Sequence, residues 1–162
     1  EVVLNNIYIA NDRDNLLAYF NVNDPFTDEM DEMLLKGVPI SFTFTVTLHK
    51  KRDQWLDKKI GEIEFSNVVK YDTLKQEFMI SRSWTKEKPV VTKSIENAKK
   101  LMCDIYNFEI VELKSLKKGE QYQIAIKAET DDISKSKYLR FLTLLVNLWK
   151  FETEWYKINI IF

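Results

Sequence analysis

His49 and Cys103 are the single histidine and the single cysteine of the 162 residues. Alone, they cannot supply the paired ligands of the common structural zinc sites, a C-x-x-C redox pair or an internal disulfide. An imidazole can act as general base because its proton affinity lies near neutrality, but His49 falls on the hydroxyl row of a strand pattern and is followed by Lys50, Lys51 and Arg52. It reads as a solvated strand residue. Cys103 sits beside an apolar helical stripe, where a thiol behaves as a small buried hydrophobe. The acids Asp24, Asp28, Glu29, Asp31 and Glu32 lack the sharp glycine turn of a calcium loop and read as the solvated first turn of a helix. Gly37, Gly61 and Gly119 are the three glycines, and their spacing matches neither phosphate-cradling glycine motif. The residues therefore assign no catalytic group, no metal and no cofactor. A net charge of −1 lacks the broad cationic footprint by which proteins bind nucleic acid.

The stretch from His49 to Lys59 carries more information. It joins two strand patterns and places Trp55 among Lys50, Lys51, Arg52, Lys58 and Lys59. Such a loop can dock into a partner's pocket or lie on an anionic membrane surface, or the indole can fold back over the sheet end. Arg52 and Asp57 bracket Trp55 and are spaced for an ion pair across a hairpin end. Residues 138–149 are apolar almost all round. Twelve residues give about 18 Å of helix, too short to span a bilayer. That segment reads as a lid over a sheet or as an exposed partner-binding surface, and Trp84, Trp149 and Trp155 as core or rim anchors.

Period two dominates the pattern that must position these groups. Ile40, Phe42, Phe44, Val46 and Leu48 alternate with Ser41, Thr43, Thr45, Thr47 and His49, one row for a core and one for water. Similar rows recur at 122–128 and 156–162, with weaker ones at 4–9, 16–22, 60–68 and 77–84. Seven or eight strands with one wet face each indicate antiparallel sheets. A short helix follows Asp24-Pro25-Phe26-Thr27, capped by Asp24 or Thr27, and presents Phe26, Met30, Met33 and Leu34 on one face. Gly37 supplies its left-handed stop and Pro39 prevents continuation. A second helix starts at Ser94 with Ile95, Ala98, Met102 and Ile105 on one stripe. Tyr71-Asp72 reads as a turn in which Asp72 bonds the backbone two residues on.

The order of these landmarks resembles a known family. Phe26-Thr27-Asp28-Glu29, Leu35-Lys36-Gly37-Val38-Pro39, Arg52 with Trp55-Leu56-Asp57, Tyr71-Asp72-Thr73-Leu74, Lys118-Gly119 with Tyr122, and Trp149-Lys150-Phe151-Glu152-Thr153-Glu154-Trp155 follow one another as in the domain-of-unknown-function family 4390. The resemblance implies a small exported protein of Gram-negative-type bacteria, made with an N-terminal signal or anchor and often encoded beside a membrane sensor kinase of the nitrogen-regulation type. It carries over no activity and no catalytic residue.

The expectation is one domain over residues 1–162, mainly β, an antiparallel two-layer β-sandwich with two or three short helices. A start at Glu1 without methionine is expected of a mature or trimmed form. The expected function is a non-enzymatic periplasmic or membrane-anchored extracytoplasmic module that binds a protein partner in the cell envelope, with peripheral membrane contact and a link to a membrane sensor. Its candidate surface is Arg52, Trp55, Asp57, Trp149 and Trp155, with Gly37, Pro39, Tyr71 and Asp72 as structural turns and caps. A carrier of a lipid or other apolar ligand, held between the sheet and residues 138–149, is the alternative, and an enzyme comes third.

Overall fold

A computed structural model of the chain describes residues 1–131 and 150–162. The apolar segment 138–149, readable as a helix or an extended run, and Trp149 with it, lies outside the described residues. The strands are β1 (Val3–Asn11), β2 (Asn15–Asn23), β3 (Ile40–Lys50), β4 (Lys58–Asp72), β5 (Glu77–Arg82), β6 (Val90–Thr92), β7 (Asp104–Glu112), β8 (Gln121–Thr130) and β9 (Tyr156–Ile161). Two helices, α1 (Asp28–Leu35) and α2 (Ile95–Cys103), lie between strands, and a 3-10 turn at Leu113–Ser115 precedes β8. Every strand pairing is antiparallel. The strands form a three-stranded sheet, β1-β2-β7, and a six-stranded sheet, β6-β5-β4-β3-β8-β9. The two sheets pack as a mainly β, two-layer sandwich.

The core follows from the alternation. Ile40, Phe42, Phe44, Val46 and Leu48 are all buried, and the register sets Phe44 beside Phe65 of β4 and Ala128 of β8. Phe20, Val22, Ile105 and Phe108 of the smaller sheet meet this face from the other side. Apolar residues on both inner faces drive the layers together. On the outer face Ser41, Thr43 and Thr45 are half-buried, as a wet hydroxyl row should be, whereas Thr47, expected in the same row, is buried.

Thr27 rather than Asp24 caps α1, since its hydroxyl accepts the Met30 N–H at 3.2 Å. The helix ends as a Schellman motif. Val38 N–H donates to the Met33 carbonyl and Gly37 N–H to that of Leu34, with Gly37 at φ +91°. Phe26 lies against Phe42 at 5.2 Å, and the Asp31–Lys99 ion pair links α1 to α2.

Four expectations are corrected here. Helix α2 stops at Cys103, so Ile105 belongs to β7 and not to the helical stripe. Nine strands are present among the described residues, because β6 and β7 join those expected. Tyr71 is a half-buried residue of β4 with its ring 4.7 Å from Phe78, and the turn begins only after Asp72. Asp57 pairs with Lys51, Nζ to Oδ2 at 3.1 Å, and not with the Arg52 side chain.

Candidate functional site

The hairpin joining β3 to β4 stands clear of the core. From Lys58 to Gly61 every β4 residue is exposed, Ile63 is half-buried, and full burial starts at Phe65. β5 covers only Asn67 to Asp72 of β4, so the first half of that strand is an edge, guarded by Lys58, Lys59, Glu62 and Glu64 as edge strands usually are. A register shift between Leu48 and His49 adds an extra residue opposite β3, which bends the arm.

At the tip Trp55 is 78% exposed and Leu56 91%. Asp57 fixes the base of the loop through its ion pair with Lys51 and by accepting the Arg52 backbone N–H at 3.3 Å. The hydrogen bond from Lys51 holds the Asp57 carboxyl below the usual aspartate range. Backbone N–H groups of Lys75 and Leu74 do the same for Asp72, at 3.0 and 2.9 Å, in the turn that its type predicts.

Strand pairing then brings distant segments to the same end. Lys50 faces Lys58 on one side and Tyr122 on the other, and Lys51 N–H donates to the Gln121 carbonyl. Phe162 and Gly119–Glu120 exchange backbone hydrogen bonds next door. This end therefore gathers Lys50, Lys51, Arg52, Lys58, Lys59, Lys117 and Lys118, seven cations, against Asp53, Asp57, Glu62 and Glu120. Lys50 is paired with Glu120 at 3.0 Å and Lys59 with Glu62. Among the described residues Arg52, Lys58, Lys117 and Lys118 have no carboxylate partner. Two open clefts flank the loop. One, of about 390 Å³, is lined by Lys50, Lys51, Arg52, Asp53 and 119–121. The other, of about 350 Å³, lies among Lys50, Arg52, Lys58, Lys59, Ser115 and Lys117. Exposed Ile161 and Phe162 add apolar surface nearby.

Trp155 does not join this surface. It precedes Tyr156, which pairs with Ile126, whereas Ile161 at the far end of β9 pairs with Gln121. Trp155 is 42% exposed under the Lys127 ammonium, which Glu152 and Glu129 also hold. The sequence signal missed Lys117, Ile161 and Phe162, because only the β3-β8-β9 pairing brings their segments to this end.

A family model described as Domain of unknown function (DUF4390) matches residues 1–159. The chain belongs to that family. No curated protein and no solved structure matches it. The landmark residues of this DUF4390 member divide by role. Thr27, Gly37 and Pro39 shape one helix and its exit, Tyr71 and Asp72 close the β4–β5 hairpin, and Trp55 and Leu56 bury little.

His49 is half-exposed on the outer face of β3 and makes no side-chain hydrogen bond among the described residues. Burial, then the charges of Asp104 and Asp24, pushes the Cys103 thiol of the DUF4390 member up to about 12. Thiolate is the reactive form, so Cys103 is expected to resist a disulfide reagent at mildly alkaline pH until the chain is unfolded. Rapid labelling of the folded protein would contradict this. Among the described residues no group of three His, Cys, Asp or Glu can hold a metal ion, and no helix is long and apolar enough to cross a membrane.

Proposed function

We propose that this protein is a non-enzymatic binding module of the bacterial envelope, periplasmic or anchored on the extracytoplasmic side, that engages a protein partner, a membrane sensor among the candidates, through the β3–β4 end. The observation that supports this reading is the exposure of Trp55 and Leu56 on a projecting, cation-flanked arm. Large apolar side chains left in water at a loop tip gain stability only when something covers them, and Trp and Arg are the residues in which binding energy concentrates. The clefts beside the arm are open and lined with charge, which suits docking better than enclosure of an apolar ligand. Among the described residues the carboxylates whose acidity shifts, Asp12, Glu32, Asp57 and Asp72, are scattered on exposed turns and helix faces and do not converge on a cleft.

A photocrosslinker placed at position 55 of the full-length protein in living cells is expected to capture an envelope protein that the same group at Leu74 does not. Leu74 is 95% exposed in the β4–β5 turn, at the opposite end of β4. Trp55→Ala is expected to reduce recovery of that partner at least tenfold. Equal recovery with both crosslinker positions and with Trp55→Ala would remove this surface from consideration.

A further inference from the structure

We infer that the β3–β4 end is also a lipid-docking surface, on which Trp55 and Leu56 enter the interfacial layer of an anionic bilayer while Arg52, Lys58, Lys117 and Lys118 lie over headgroup phosphates. This rests on the reading of that end as the working surface, and adds the chemistry of the first surface it meets. The shape of the tip favours it. Trp55 and Leu56 project from the end of an arm exposed from Lys58 to Gly61, so a planar boundary can receive them without a matching pocket. An indole beside a leucine is suited to the level where acyl chains give way to headgroups.

The charge distribution points the same way. Three cations of this end already have carboxylate partners, in Lys50–Glu120, Lys51–Asp57 and Lys59–Glu62. The four without one come from two separate segments; Arg52, Lys58 and Lys117 line one open cleft beside the tip and Lys118 follows Lys117 in the chain, so headgroup phosphates would meet several cations next to the apolar tip. This end is about three charges positive, counted from its seven cations and four acids, in a chain of net −1. The remainder is therefore net negative, so the cationic end is the part of the chain that an anionic surface attracts. Each cation held near such a surface contributes about a fivefold gain in partitioning.

The test is co-sedimentation of the protein with vesicles of phosphatidylcholine alone and of phosphatidylcholine with a minority of phosphatidylglycerol. Binding is expected only to the anionic vesicles, and is expected to be lost between about 0.1 M and 1 M salt as the screening length shortens. The double variant Trp55→Ala/Leu56→Ala is expected to lower partitioning at least tenfold, and Arg52→Gln/Lys58→Gln roughly 25-fold. Leu74→Ala, an equally exposed leucine at the other end of β4, is expected to leave it unchanged. All these positions are exposed, so unaltered thermal unfolding checks that the variants fold. Equal binding to neutral vesicles, no binding at low salt, or loss with Leu74→Ala as large as with the tip variants overturns the inference. If no vesicle binds but position 55 still captures a partner whose recovery Trp55→Ala lowers, the lipid surface is excluded and the protein-binding reading stands. If tip-dependent vesicle binding is seen while position 55 captures no partner, the lipid inference stands and the protein-binding reading falls.

Discussion

Asn67→Ala is expected to destabilise the fold by about 2–4 kcal/mol, seen as a lower denaturant midpoint with an unchanged slope. Asn67 is wholly buried on the inner face of β4, where alternation calls for an apolar side chain. Its Nδ2 donates to the Met102 carbonyl at 3.0 Å, and its Oδ1 accepts the Trp84 indole N–H at 2.8 Å. Met102 is in the last turn of α2, where carbonyls have no partner within the helix. One side chain thus satisfies a helix end and an indole at once. Alanine leaves the buried Met102 carbonyl and the part-buried Trp84 indole N–H unpaired, and an unpaired buried group costs about 1–3 kcal/mol. At this chain length the melting temperature should fall by roughly 5–15 °C. Trp84→Phe keeps a ring and removes the donor, so it should cost less. The two changes together should cost less than their sum, since the second removes a partner already lost. A change in unfolding free energy under about 1 kcal/mol for Asn67→Ala would show that the network is incidental.

That hub was not visible in the sequence, and the reason is physical. An asparagine inside a strand pattern reads as a solvent-facing residue unless its partners are known, and these lie 17 and 35 positions away. β3 was legible because apolar and polar residues alternate from Ile40 to His49, a pattern that burial follows except at Thr47. β7 was not, because it starts directly after α2 and because two residues, Tyr106 and Asn107, stand opposite Tyr19 alone. That bulge, with Asn107 at φ 51°, breaks the period of two, and Ile105 then falls by chance on the stripe of the preceding helix. β6, with three residues, is too short to show any period.

The candidate site was legible by residue type and not by composition of the surface. Trp55 among lysines marks a loop that can touch something, whatever the fold. The neighbours of that loop depend on register: Lys50 pairs with Tyr122, and Tyr122 with Ile160, so the 117–120 turn and Phe162 arrive from distant parts of the chain. The same pairing separates Trp55 from Trp155, which chemical similarity alone had grouped. Opposite charges bracketing the indole suggest an ion pair between Arg52 and Asp57. Lys51 was closer to the carboxylate once the hairpin closed, and Arg52 contributes only its backbone N–H.

Phe65→Ala is expected to cost about 3–5 kcal/mol, the largest loss from any single truncation considered for this fold. Phe65 is the point where β4 enters the core, and its ring is stacked between the sheets, 5.1 Å from Phe44 of β3 and 4.2 Å from Phe108 of β7. The Trp84 ring meets it edge-on at 6.5 Å. Alanine leaves a void bounded by aromatic rings that belong to both layers, and rings fixed by rigid strands collapse into a void poorly. Phe65→Leu retains much of the volume and should cost about half as much. The position also bears on the binding surface, because residues 58–64 of the arm have little burial of their own and are anchored where Phe65 is packed. Hydrogen exchange should therefore speed up along 58–64 in Phe65→Ala, while Trp55→Ala, at an exposed tip, should leave both exchange and melting unchanged. If Phe65→Ala melted like the unmodified protein, the aromatic stack would not be what joins the sheets, and the arm would need another anchor.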